Sequence, residues 1–183
     1  MFCNSTRMAS FVFALFAGLV FTSSGFAQDE DAAASLAKAH EQLRAVLDNT
    51  DNLFYKSGKE NDGSTFYTVI WEHNDNSVKF IATLKKLGFY DGTDIYGLSL
   101  WTYVANEENA VPPAVIKAVA TTTDRLSLGS FSCSQDFTKV FANVTASLDG
   151  LTPASMWFYA AYLQSNKEAM EGIIEEAMSA SGR

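Results

Sequence analysis

The apolar side chains of this chain change their period twice, and no single element can satisfy both periods. Leu36, His40, Leu43 and Leu47 follow 4, 3 and 4 spacing, which puts them on one face of a helix. Acids at Asp29, Glu30 and Asp31 sit where the positive end of a helix dipole favours them. A helix is therefore predicted over 29–48, with Asn49 to Asn52 as its stop. From there the period drops to two. "NLFYKSG" (52–58) reads as a short strand, and "FYTVIWEH" (66–73) and "SVKFIATLKKL" (77–87) flank Asn74-Asp75-Asn76 as a hairpin. Tyr67, Val69 and Trp71 share one strand face; Val78, Phe80, Ala82 and Leu84 share another. "GFYDGTD" (88–94) reads as a loop, and "IYGLSLWTYVA" (95–105) as a further aromatic-rich strand.

The helical period then returns. Pro112 and Pro113 lack amide donors and suit a first helical turn, where those donors have no partner. "PPAVIKAVATTT" therefore starts a helix with Val115, Ile116 and Val119 as its buried stripe. "RLSLGSFSC" alternates Leu126 and Leu128 with Ser127 as a strand, and "SQD" turns it into "FTKVFANVTASL" (137–148), a second hairpin. Thr152 suits a helix cap and Pro153 a first helical position. Met156, Tyr159, Leu163, Met170, Ile173 and Ala177 supply the apolar stripe that follows. The pattern predicts an α+β fold: an antiparallel sheet of about five strands with helices packed on it, in the order α-βββ-α-ββ-α.

The first 27 residues read differently. Arg7 is the only charge before Asp29, and "FVFALFAGLVF" (11–21) is an apolar run of eleven residues. That is too short for a membrane span of about 20 residues but fits a secretory signal peptide. Gly25 and Ala27 are the small residues of a cleavage site after Ala27. The expected organisation is thus a signal peptide over 1–27 and one α+β domain over 28–183, periplasmic or secreted. Cleavage would leave Cys133 as the sole cysteine, so no internal disulfide is expected despite an oxidising destination.

Read in order, these elements resemble the YbjN-like proteins, bacterial chains described as regulators of sensory transduction, with a type III secretion chaperone-like fold. The resemblance rests on residues 111–174: prolines opening the middle helix, the "LSLGSF" strand, a Val- and Phe-rich partner strand and "LTPASM" starting the last helix. It implies an antiparallel sheet with helices packed on it, and binding of a protein or peptide. It brings no catalytic residues. The export signal departs from a cytoplasmic effector chaperone.

Chemistry was sought residue type by residue type. The formal charge is −8 and lacks the basic stripes that neutralise phosphates, so neither nucleic acid nor an anionic membrane surface is an expected partner. His40 and His73 are the only histidines, without the paired spacing of metal ligands; they read as a packed core histidine and a turn histidine. Cys133 in "SFSCSQ" has no basic neighbour to favour thiolate and reads as a buried strand residue. There is no Gly-x-Ser-x-Gly elbow, and Asp62, Asp75, Asp91 and Asp94 do not match a calcium loop. No catalytic residue, metal site or cofactor is assigned.

Aromatics are the remaining signal. Tyr67, Trp71, Tyr96, Trp101 and Tyr103 can contribute a sheet face, while Trp157, Phe158, Tyr159 and Tyr162 crowd the start of the last helix. They point in too many directions for all to be covered. Trp71, Tyr96, Trp101, Tyr103 and Trp157 are the candidate interaction residues. The expectation is a non-enzymatic, exported module that binds a protein or peptide, or a homodimer. The alternatives are a binder of a small apolar ligand in a cavity between the sheet and the last helix, and a carboxylate-dependent hydrolase.

Overall fold

The computed structural model describes residues 24–91 and 93–180, with side chains from Asp31 onward. The signal peptide expected over 1–27 lies outside the residues whose side chains are described. Among the described residues the order is α1 (Ser24–Asp48), β1 (Leu53–Lys59), β2 (Thr65–His73), β3 (Asn76–Tyr90), β4 (Thr93–Asn106), α2 (Pro113–Thr123), β5 (Ser130–Cys133), β6 (Lys139–Ser147) and α3 (Pro153–Ala180). The strands form one antiparallel sheet in the spatial order β1-β2-β3-β4-β6-β5. The α+β class stands, with six strands rather than about five.

The sixth strand is β1, the short strand read at 52–58 but left out of the five-strand order, which pairs with β2 from Leu53↔Trp71 to Lys59↔Thr65. Its Gly58 survives on a sheet edge because the Phe66 ring lies over it, 2.4 Å from where a Cβ would stand. An aromatic that covers a glycine in this way restores the packing the missing side chain cannot give.

Two loops change character. The segment 88–94, expected as a loop, is the tip of a long β3–β4 hairpin: Gly88↔Ile95, Phe89↔Asp94 and Tyr90↔Thr93 are paired, and Asp91, next to the last pair, takes φ +47. Aspartate tolerates that left-handed backbone, and Phe89 and Tyr90 favour strands. Conversely, β5 begins only at Ser130, so Leu126 and Leu128 are not strand residues. Gly129 stops it: its φ is +79, and a Cβ there would meet the backbone oxygen of Asn143 at 2.2 Å.

The starts of α2 and α3 follow the expected chemistry, whereas α1 begins at Ser24, so Asp29, Glu30 and Asp31 do not stand in its first turn. Val115 N–H donates to the Pro112 carbonyl at 2.9 Å at the head of α2. Ser155 N–H donates to the Thr152 hydroxyl at 3.1 Å at the head of α3. The buried stripes shift by a residue or two. Ala39, Leu43, Val46 and Leu47 carry α1 into the core, whereas Leu36 is 38% exposed. Met156, Ala160, Leu163, Met170 and Ile174 do so for α3, in place of Tyr159 and Ile173.

The buried apolar strand side chains belong to one alternation set: Tyr67, Val69 and Trp71 of β2, Val78, Phe80 and Ala82 of β3, Leu98 and Leu100 of β4, and Val140, Ala142 and Val144 of β6. The buried residues of α1, α2 and α3 join them in one cluster. The described helices thus lie on one face of the sheet. Among the described residues no helix lies on the other face.

Candidate functional site

That bare face is the site, and pairing register decides its composition. One row of directly opposed residues crosses every strand: Lys56, Thr68, Ile81, Trp101, Asn143 and Ser130. Beside it run Gly58, Phe66, Thr83, Ser99 and Thr145, a largely hydroxylated row. On its other side Phe54, Ile70 and Lys79 are opposed, and Tyr103 is opposed to Phe141 and through it to Ser132. Phe54 is 62% and Tyr103 43% exposed. In water such surface is unfavourable, and a contiguous patch of it marks a contact site.

The aromatic centre is ordered by its own packing. Trp101 meets Tyr103 edge-on at 5.5 Å between centroids and Phe141 edge-on at 5.6 Å, and Tyr103 and Phe141 are 5.1 Å apart. Edge-to-face contacts of this kind hold rings in fixed orientation. Lys139 Nζ lies 6.0 Å from the Tyr103 centroid, at the outer range of a cation–π contact. Asn143 closes the far side by donating from Nδ2 to Ser132 Oγ at 2.9 Å.

Next to the rings the sheet opens. Pairing between β3 and β4 ends at Ile81↔Trp101, so residues 76–80 of β3 have no β4 partner. Two residues further along β4, between Tyr103 and Ala105, its register against β6 shifts at a bulge, and a bulge bends its strand and raises the local twist. At the parting point Thr102 Oγ1 donates to the Lys79 carbonyl at 2.7 Å, replacing the ladder bond that the buried backbone would lose. A cleft of about 600 Å³ results, lined by Thr68, Ser77, Lys79, Ile81, Trp101, Tyr103 and, from α3, Lys167.

Charge is distributed unevenly. Alternation puts Lys56, Lys79, Lys85 and Lys139 on the bare face, against Glu72 as its single strand acid, in a chain of net charge −8. Helix α3 carries Glu168, Glu171, Glu175 and Glu176 against Lys167. The bare face is basic on an acidic protein.

The five candidate aromatics separate. Trp101 and Tyr103 meet on the bare face. Trp71 is on the helix side, 3% exposed, with its indole N–H lacking an acceptor. It stacks on His73 at 5.9 Å and meets Trp157 edge-on at 5.5 Å, so Trp71 is corrected from a contact residue to a packing residue, and Trp157, half-buried, fastens α3 to β2 on the helix side. Tyr96 also faces the helices. Its hydroxyl donates to Asp94 at 3.4 Å, and Asp94 pairs with Lys86 at 2.6 Å. The sheet face expected from Tyr67, Trp71, Tyr96, Trp101 and Tyr103 together is therefore two faces.

Phe141, Lys139, Lys79 and Thr102 were missed. Alternation within 137–148 does put Lys139 and Phe141 opposite Val140. What it lacks is the strand order, in which β6 lies between β4 and β5.

The reactive residue types are embedded elsewhere. His40 is half-buried, its Nδ1 3.0 Å from the Tyr67 hydroxyl, and burial, with Lys59 and Arg44 nearby, lowers its pKa. Burial pushes the Cys133 thiol up, which disfavours the nucleophilic thiolate. Asp136 accepts from the Ser134 hydroxyl and from the Thr138 N–H and hydroxyl, which hold its pKa at about 2 in a tight turn between β5 and β6. Among the described residues no three His, Cys, Asp or Glu side chains gather as metal ligands would. No helix among them is long and apolar enough to cross a membrane. No protein-family model and no curated protein matches the chain.

Proposed function

We propose that this is an exported, non-enzymatic interaction module of the YbjN-like, type III secretion chaperone-like kind, and that its bare sheet face holds a protein or peptide partner. The observation that carries the reading is the one-sided fold: the described helices cover one face, while Trp101, Tyr103 and Phe141 stand as an ordered aromatic group on the other. Aromatic residues in a polar surround are what anchor protein interfaces. Export rests on the basic and apolar N-terminal pattern and the small residues before Gln28.

A photo-crosslinking amino acid placed at Tyr103, and separately at Glu41 on the exposed side of α1, tests the reading in the native host. A protein adduct at 103 that is absent at 41 is expected, on a chain whose mass begins at Gln28. Adducts at neither position, with the chain retaining its first 27 residues, would remove it.

The β3–β4 cleft favours a second reading, a small apolar ligand held between Trp101 and Tyr103 and reaching toward α3 at Lys167. Thermal stabilisation by a lipophilic compound that Trp101→Ala abolishes would select it.

A further inference from the structure

We infer that the partner segment is an acidic, apolar-containing extended polypeptide, seated across Trp101, Tyr103 and Phe141 with its carboxylates on Lys79 and Lys139. This rests on the interaction reading above and names its chemistry. Lys79 lines the cleft on the β3 side of the aromatic group, and Lys139 stands against the Tyr103 ring on the β6 side. The two ammonium groups therefore bracket the only aromatic cluster described on the bare face. An apolar side chain on the rings puts its neighbours within reach of a lysine on either hand.

Charge complementarity selects the occupant. The bare face carries four lysines to one glutamate, whereas the whole chain is −8. Everything outside the face is thus strongly acidic. A long polyanion would gain from the face and be repelled by the rest, since repulsion between exposed charges extends about 8 to 10 Å at physiological salt. A short acidic segment stays within the basic zone. Lysines also act as point charges for single carboxylates, without the bidentate fork that arginine offers to phosphate. The backbone argues the same way. Apart from the Thr102 hydroxyl on the Lys79 carbonyl, residues 76–80 of β3 have no β4 partner beside the cleft, and an extended polypeptide is the ligand whose own backbone can meet a strand.

The test uses labelled peptides sharing one apolar core of Phe and Leu, flanked by Glu, by Gln or by Lys, measured by anisotropy against the purified protein. The Glu-flanked peptide should bind at least about tenfold more tightly than the Lys-flanked one at low salt, and the gap should narrow in high salt. The double change Lys79→Glu with Lys139→Glu should erase or reverse that preference, and Tyr103→Ser should weaken every peptide. Circular dichroism on each variant separates these effects from unfolding.

Equal binding of all three peptides, still weakened by Tyr103→Ser, overturns the acidic assignment and leaves the interaction reading standing. Oligothymidylate displacing the Glu-flanked peptide at equal concentration overturns it in favour of single-stranded nucleic acid. A dimer in light scattering that Tyr103→Ser dissociates overturns it in favour of a second copy. Failure of every peptide, together with an empty crosslink at 103, removes both readings.

Discussion

Gly129 is where a single residue decides most. A side chain there meets the Asn143 carbonyl and a left-handed φ at once, so Gly129→Ala should destabilise by about 2–3 kcal/mol. Thermal melts should show a loss of about 5–10 °C. Asp91→Asn, at an exposed hairpin tip whose φ asparagine also accepts, should stay within about 0.5 kcal/mol. Equal losses would place the strain elsewhere. His40 offers a pH signature. Its folded pKa is lowered, so the unfolded chain binds the proton first as pH falls below about 6.5. Stability is then present above that value and lost as pH falls toward the folded pKa. Urea midpoints at pH 7.5 and 5.5 should differ more in the wild type than in His40→Gln; an unchanged gap would assign the pH dependence to other groups.

At the scale of elements, α3 is held to β2 by one aromatic joint. Trp157 is half-buried and packs on both Trp71 and His73. Trp157→Ala should cost about 2–3 kcal/mol, read from denaturant unfolding, with Phe158→Ala, at a half-exposed position, costing less. An equal cost would mean that the joint contributes nothing beyond its area. Most elements here were readable from the sequence, because period and turn chemistry are local: the β2–β3 hairpin, the proline start of α2 and the Thr152 cap all appear where local rules put them. The β3–β4 tip carries a signal that the loop expectation passes over, since Asp-Gly between alternating apolar residues is the dipeptide that tight hairpins favour. Strand β5 was drawn too long because the obstacle to Gly129 comes from β6, which no local window contains. The site was half readable for the same reason. Trp101 and Tyr103 share a face by alternation alone, but Phe141 and Lys139 join them through pairing, and the cleft lies where β3–β4 pairing ends.

For the molecule as a whole, a sheet covered on one side leaves apolar surface in water. Phe54, 62% exposed on the edge strand β1, is a part of that surface outside the aromatic centre. Phe54→Lys should raise solubility, measured as the concentration at which scattering first appears, while leaving the melting temperature within about 2 °C. A large fall in melting temperature would mean that Phe54 packs in the fold. Lysines on the sheet and glutamates on α3 also give the protein a permanent electric moment along the sheet normal. On a positively charged support it should settle helices down and present its rings to the solution. On a negatively charged one it should land on its rings and hide them, so the sign of a sensor surface would determine whether any partner is detected.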